Sequence, residues 1–506
     1  MLGGPAGVAA RAMAAGIADE VTALPASERS DAVVAYADAP QAIHEIAACV
    51  APNGVLYLEV DRNRRGTRET TPRQVEAVLH AAGLTACTWY AVEPDLTHAR
   101  AYVPLHLPHA MSWHRRMHAG DGAAMRFADI LRRSAVRVGG PGVAALNRSY
   151  AVVAAAGEHN PLPHLLSHAG VSALLGASGS PAGSAMLTYG GDRVLLFPFS
   201  ADGREPMSVV KVPKTRLLAE RTANEQTQMH ALRSTLDPAL SVSIPEPLGA
   251  VEVSGLLVAC ERYVRGMSVG ARAVDPGRSL DEKRDDLRLA MDWLARFHRA
   301  TVSGVAPIER VSREVIVPLL DDYALAFGET GESRLFDGMR SAAATLGNAP
   351  VSIGRQHRDF AVWNVLRDRD TIAVVDWEGA RDGISACDAV HLVSTWLYMV
   401  RLGDGVDDEA RCTRELFLRD VERDAAASAA RDAFAWYLDA MRLDARLASL
   451  LIATHRVELA VRRSSQRHLH GADRGSNRGP ESEEVRVVRA LATEAAVAFA
   501  SVDAAP

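Results

Sequence analysis

At 506 residues the chain has room for two or three domains, and with 48% hydrophobic residues it can bury ordinary globular cores. Its 56 Lys+Arg and 62 Asp+Glu are well mixed and sum to −6, without the basic block that a nucleic-acid partner or an anionic membrane would call for. No apolar run approaches the roughly eighteen residues of a membrane span, the N-terminus lacks a secretory signal pattern, and the five cysteines are scattered with no C-x-x-C pair, so a cytoplasmic protein without disulfides or a zinc site is expected.

The first third alternates strand-like and helix-like segments: strands at 31–36, 54–60 and 85–91, helices at 41–50 and 71–82. That order suggests a parallel α/β sheet. The second helix is well signalled, with Thr71 as N-cap, Pro72 at the first position, Gln74 completing a capping box and Gly83 as the stop. The run AIHEIAACVAPNGVLYLEV (42–60) and the closing strand in RSYAVVAAAG (148–157) resemble the later half of an S-adenosylmethionine-dependent methyltransferase. Such a domain needs a strand leading into a glycine-rich turn and an acidic residue after the next strand. Here Gly3, Gly4 and Gly7 have no strand before them, and the run 20–24 ends in Leu24-Pro25. Either the true start lies upstream or residues 1–157 are a degenerate, Rossmann-like remnant, and S-adenosylmethionine binding is not expected. His98, His106, His109, His114 and His118 lack metal-ligand spacing and read as surface residues.

Residues 158–180, rich in Gly, Pro, Ser and His, read as a linker. Beyond it an antiparallel meander is expected from strands at 185–189, 193–198 and 208–212. Gly190-Gly191 joins the first two, and can either lay backbone N–H groups over phosphates or turn a plain hairpin. Lys211 is one of only three lysines in the chain and sits between Val210 and Val212. A lysine on an interior strand needs a partner. The following helix offers Glu225, with Met229 and Leu232 on its face, ahead of Glu220. Next comes the strand 256–260, running into Glu261, Arg262 and Tyr263.

The remainder is mainly helical. Ser279 and Glu282 form a capping box for a helix with Leu287, Ala290, Met291, Leu294, Phe297 and His298 on its core face. His298 reads as a packed core residue. Asp321, Asp322, Glu329, Glu332 and Asp337 make an acidic stretch that is either a solvated helical face or a site for a cationic substrate. Helical periodicity marks 388–400 and 430–451, a polar loop 468–484, and a final helix 484–500.

The segment 354–380, GRQHRDFAVWNVLRDRDTIAVVDWEGA, carries the chemistry. His357, Asp359 and Asn364 form H-x-D-x-x-x-x-N; a short strand, a polar turn at 367–370 and a second strand then return the chain so that Asp376 stands beside Asn364. One carboxylate and one amide oxygen suit Mg²⁺. Asp359 can accept the proton of a hydroxyl while a γ-phosphate is transferred to it.

The segment, with Asp376-Trp377-Glu378 at the metal position, resembles the aminoglycoside phosphotransferase and choline kinase group of the protein-kinase-like superfamily. The resemblance implies Asp359 as catalytic base, Asn364 and Asp376 as magnesium ligands, Lys211 on the ATP phosphates with Glu225 holding it, and Glu261 to Tyr263 as the strand whose backbone pairs with adenine. Gly383 and Asp388 fit the group's G-x-P-x-x-D pattern, with Ser385 in the proline's place and Asp388 expected to brace the loop. The expected architecture is an incomplete methyltransferase-like α/β domain followed by a two-lobed α+β kinase-like domain, with lobes at 181–265 and 266–506. The expected function is ATP- and Mg²⁺-dependent phosphorylation of a small-molecule hydroxyl. A nucleotide-binding scaffold without turnover and a methyltransferase–kinase fusion are the alternatives.

Overall fold

The computed structural model describes residues 29–37, 40–61, 71–93, 99, 101–107, 109–119, 149–156, 165–166, 168–176, 184–189, 193–200, 204–328, 331–418, 424–469 and 482–503. The glycines at 3, 4 and 7, Gly190 and Gly191, His98, Glu329 and most of the expected loop at 468–484 lie outside them. The chain divides into two compact units, Met1–Gln226 with Pro245–Val264, and Thr227–Ile244 with Arg265–Pro506.

The first unit is built on one ten-stranded sheet, β1 (Ser30–Ala37), β2 (Val50–Asp61), β3 (Ala86–Glu93), β4 (Ala101–Pro104), β5 (Ser149–Ala155), β6 (Ser184–Tyr189), β7 (Arg193–Pro198), β8 (Ser208–Pro213), β9 (Pro247–Val253) and β10 (Leu256–Arg262). Its order is β1-β2-β5-β3-β4-β6-β7-β8-β10-β9. The expected parallel sheet is realised only in part. β1 and β2 pair in parallel across the helix α1 (Pro40–Ala48), but β5 inserts antiparallel between β2 and β3, with Leu58 opposite Val152 and Trp89 opposite the same residue. β1, β2 and β3 therefore share a direction without β3 touching β2. Residues Tyr150–Ala155 of β5 are all buried, which is why that strand reads as an unbroken apolar run rather than an alternation.

The helix α2 (Pro72–Ala81) starts as its sequence dictates, the Gln74 N–H donating to Thr71 Oγ1 at 3.3 Å and the Thr71 N–H to Gln74 Oε1 at 2.7 Å. On the helix α3 (Ala110–Ala119) His114 is buried, a correction to the surface reading, while His106 before it is exposed. The strands on either side of 158–180 join the same sheet, β4 pairing with β6, and β6, β7, β8, β10 and β9 continue it as antiparallel neighbours. The short helix α4 (Ala169–Leu175) packs Val171 and Leu175 with Val194, Leu196, Val210 and Val258 on one face of these strands. Phe197 and Val209 face the other side and join the core that includes Ile43, Leu56 and Val75. The division between the units falls inside α5 (Ala219–Thr235), after Gln226.

The second unit is mainly helical. α6 (Leu280–Thr301) begins at the Ser279–Glu282 capping box and buries Leu287, Ala290, Met291, Leu294, Phe297 and His298. Trp293 stacks on Phe297 at 5.2 Å and on Phe360 at 5.6 Å, and Phe297 meets Trp377 at 5.4 Å. This aromatic column fastens α6 to the segment 357–380, each pair adding about 0.5–1.5 kcal/mol beyond its buried area. Around it lie α7 (Val317–Phe327), α8 (Ser333–Leu346), α9 (Ala386–Gly403), α10 (Glu409–Phe417), α11 (Ala425–Ala440), α12 (Ala448–Leu469) and α13 (Glu483–Asp503). The helical pattern expected at 430–451 is two helices. Arg442 takes a left-handed conformation (φ 56) and the Leu443 N–H turns back to the Leu438 carbonyl at 2.8 Å, closing α11 before α12 begins.

Candidate functional site

In the first unit, strand alternation places Lys211, 5% exposed, on the same face as Val209, with its ammonium among acidic partners. Nζ bonds to Glu225 Oε1 and lies 3.0 Å from Glu261 Oε2, while Arg193 Nη1 donates to Glu225 Oε2 at 2.9 Å. Glu225 is fully buried and Glu220 is exposed, so the partner is the one with Met229 and Leu232 at its following turns. Burial would raise the Glu225 carboxyl, but Lys211 and Arg193 overcome it and hold the group below the usual carboxylate range. Two cations and two carboxylates thus balance one another inside the sheet.

Glu261 and Tyr263 do more than the sequence suggested. The Glu261 side chain joins the Lys211 cluster from β10, where Ala259 lies opposite Lys211. The Tyr263 N–H donates to the Met207 carbonyl at 3.2 Å and its hydroxyl accepts from Trp113 Nε1 at 3.1 Å, so this backbone amide is already engaged.

In the second unit the strand Pro350–Gln356 delivers the chain into His357. Asp388, 1% exposed on α9, accepts the His357 N–H at 2.6 Å with Oδ2 and the Arg358 N–H at 2.8 Å with Oδ1. His298 Nε2 lies 3.4 Å from the same carboxylate, and its Nδ1 meets the Tyr437 hydroxyl at 2.7 Å, as suits a packed core histidine. His357 links loop to hairpin: Nδ1 accepts the Asp359 N–H at 3.3 Å, so Nε2 is the protonated nitrogen that donates to the Val375 carbonyl at 2.9 Å. Asp359, whose side chain is 32% exposed, receives the Asn364 Nδ2 amide at Oδ2 (2.9 Å) and at its own carbonyl (2.9 Å).

The hairpin pairs the strands Val365–Asp368 and Thr371–Val374, with Val365 opposite Val374 and the Val375 N–H donating to the Asn364 carbonyl at 3.0 Å. Asp376 follows one residue past the position facing Asn364, where cross-strand Cα atoms are about 5 Å apart. It holds left-handed backbone (φ 69, ψ 60), as does Arg358 (φ 66) beside Asp359. Non-glycine residues held there cost of order 1–3 kcal/mol each and gather at functional sites. Asn364 commits Nδ2 to Asp359, which turns Oδ1 away from it. That oxygen and the Asp376 carboxylate are hard donors of the kind a magnesium ion takes.

Three residues escaped the sequence reading. Arg462 on α12 sends Nη2 to 3.4 Å from Asp359 Oδ1 and Nη1 to the Arg358 carbonyl. Glu458, one turn earlier, accepts Arg358 Nη2 at 2.7 Å. His391 on α9 places Nε2 3.8 Å from Asp359 Oδ1. No local pattern announces them, since α12 lies about a hundred residues beyond the loop.

Residues 202–423 match the model of the phosphotransferase enzyme family. The match spans Lys211, Glu225, Glu261, the loop from His357 to Asn364, Asp376 and Asp388, and ends before Arg462. No curated protein matches the chain. Among solved structures the chain is similar to a glucosamine kinase in complex with glucosamine, ADP and inorganic phosphate, at 17% identity over 67% of this chain and 84% of that one, TM-score 0.37. It is similar to a thermostable mutant of an aminoglycoside phosphotransferase, at 14% identity over 66% of this chain and 99% of that one, TM-score 0.38. A choline/ethanolamine kinase family protein from Mesorhizobium loti has 16% identity over 59% of this chain and 98% of that one, TM-score 0.31. The phosphotransferase model begins at residue 202; the methyltransferase resemblance of 1–157 rests on sequence. No described helix is long and apolar enough to cross a membrane.

Proposed function

We propose that this protein transfers the γ-phosphoryl group of ATP, with Mg²⁺, to a hydroxyl of a small molecule. The observation that carries the reading is the family match together with the loop on which Asp388 fixes the backbone of His357 and Arg358 and Asn364 fixes the carboxylate of Asp359. Asp359 accepts the proton of the acceptor hydroxyl as its oxygen bonds to the γ-phosphorus and the bond to ADP breaks, leaving a phosphate ester and ADP. Asn364 and Asp376 hold the metal, which when bound neutralises charge on the phosphates. Lys211, oriented by Glu225, meets the nucleotide phosphates; Glu261 positions the ammonium, and residues 261–263 border the adenine. Gly190 and Gly191, outside the described residues, are assigned to the nucleotide phosphates from sequence alone. Residues 1–157 serve packing or substrate presentation without S-adenosylmethionine.

The test is a phosphorylation screen of hydroxylated small molecules with wild type and Asp359→Asn. Loss of general-base assistance should cost about 10²- to 10⁴-fold in kcat. Equal rates in the two proteins would remove the mechanism, and MgATP binding without transfer to any acceptor would favour the scaffold alternative.

A further inference from the structure

The groups around Asp359 Oδ1 bear on the choice of acceptor. Around its Oδ1 stand a guanidinium, Arg462 at 3.4 Å, and an imidazole, His391 at 3.8 Å. His391 is 1% exposed and neither ring nitrogen has a hydrogen-bond partner. Arg462 Nε is likewise buried without one, and the only carboxylate within ion-pair distance of Arg462 among the described residues is Asp359 itself.

The neighbouring acid is spoken for. Glu458 is shared by Arg358 at 2.7 Å and Arg381 at 3.5 Å. Cys387, His455 and Glu458 place ligand atoms within 4.8 Å of one another, a spacing a cation could use, but the guanidiniums of Arg358 and Arg462 line the same pocket. Two members of the acidic stretch are engaged elsewhere. Glu332 is buried against Arg489 at 2.8 Å and Asp337 pairs with Arg340 at 3.1 Å. Asp321 and Asp322 are exposed on α7, and no described contact brings them to Asp359.

An ammonium group beside the reacting hydroxyl would therefore meet Arg462, whose only ion-pair carboxylate among the described residues is the base that must stay ionised. A negatively charged oxygen would give the Arg462 guanidinium an acceptor besides Asp359 and the Arg358 carbonyl, and release Asp359 from the ion pair. Resting on the phosphotransferase reading above, we propose that the acceptor carries an oxyanion, carboxylate or phosphate, next to the hydroxyl presented to Asp359, and that Arg462 selects it.

The experiment uses the full chain, MgATP and size-matched hydroxylated acceptors bearing no charge, an ammonium, a carboxylate or a phosphate, with wild type, Arg462→Lys and Arg462→Gln. Transfer should be confined to the oxyanion-bearing acceptors, and the carboxylate and phosphate arms tell which oxyanion is used. Arg462→Gln should raise KM for them about ten- to a hundredfold with a smaller change in kcat, and Arg462→Lys should recover part of the loss. A merely structural arginine would lower the melting temperature and leave the ratio between charge classes unmoved, which would overturn the proposal. So would preferred transfer to the ammonium acceptors. An equal fall in kcat for every acceptor with KM unchanged would make Arg462 a contact of the transferred phosphoryl group instead, and would also overturn it. Those outcomes leave phosphoryl transfer standing. Transfer to none of the four classes overturns the selection by Arg462, and absence of MgATP binding in the same samples overturns the phosphotransferase reading with it.

Discussion

Asp388 grips the backbone of His357, its Oδ2 accepting that residue's N–H at 2.6 Å while Oδ1 takes the N–H of Arg358 at 2.8 Å. A single buried carboxylate thereby sets the direction from which the loop leaves the strand Pro350–Gln356 and so where Asp359 stands. Asp388→Asn keeps the shape but turns an amide nitrogen toward backbone donors. The expected loss is about 2–3 kcal/mol of stability, since bonds to a charged group are each worth roughly 1.5–3 kcal/mol and part is regained by the remaining oxygen. Activity should fall further than stability explains, because the loop carries Asp359, the proposed base. Urea unfolding and kcat measured on the same sample check both; an unchanged kcat would show that the loop is held by other contacts.

Lys211 is expected to be indispensable to nucleotide binding. Lys211→Met leaves Glu225 with Arg193 alone and Glu261 without its ammonium, and breaking a buried ion network from one side costs about 3–5 kcal/mol. Adding Glu261→Gln should return part of that stability without restoring MgATP affinity, separating the folding role of the cluster from its binding role. Calorimetric titration with MgATP and thermal melts of the two variants give the comparison; recovery of affinity in the double variant would mean the ammonium does not meet the nucleotide.

The same cluster predicts an acid limit. Glu225 is held below its ordinary value in the folded protein, so the unfolded chain binds the extra proton first. Its contribution is present above the unfolded carboxyl value and disappears as pH falls through the depressed folded one. In Glu225→Gln the dependence of unfolding free energy on pH below about 4.5 should be shallower than in wild type. An identical slope in the two proteins would contradict the assignment.

How much of this was readable beforehand depends on how local each feature is. Asp359, Asn364 and Asp376 are set by one loop and one hairpin within twenty residues, and the strand pairing that joins them follows from the turn. Lys211 stood out because lysine is rare in this chain. Glu261 entered the reading as backbone only, because its pairing with Lys211 crosses from β10 to β8 and depends on sheet register. The place of β5 between β2 and β3 was equally hidden: its uninterrupted apolar residues say that both faces are covered and nothing about which strands flank it. Arg462 belongs to a helix that only tertiary packing brings to the loop.

His391 and His455 predict a second pH effect, near neutrality. Their rings lie 4.8 Å apart and both are buried; burial first, then the guanidiniums of Arg456, Arg462 and Arg463, and for His391 also the neighbouring His455, hold them well below the ordinary imidazole range. Both are neutral in the folded protein, whereas the unfolded chain takes up protons below about pH 6.5. Stability should therefore be full above that value and fall as pH drops from about 7 to 5. Thermal melts across this range should show a smaller fall in His455→Gln than in wild type. A fall of equal size would place the proton uptake elsewhere.

Metal dependence gives the sharpest check on the hairpin. Asp376 is the one carboxylate of the proposed magnesium site, and it holds left-handed backbone (φ 69) just past the hairpin strand that ends opposite Val365. Asp376→Asn removes a charge and leaves an oxygen donor of similar reach, so the fold should persist while the ion is held more weakly. The Mg²⁺ concentration for half-maximal phosphate transfer should rise by about tenfold or more, as expected when a ligand to a metal is weakened. MgATP affinity should fall with it, while ATP affinity measured without divalent ion should stay near the wild-type value, because Lys211 and Glu225 are untouched. If the Mg²⁺ requirement were the same in wild type and variant, Asp376 would not be a ligand, and the hairpin would serve only to hold His357 through the Val375 carbonyl.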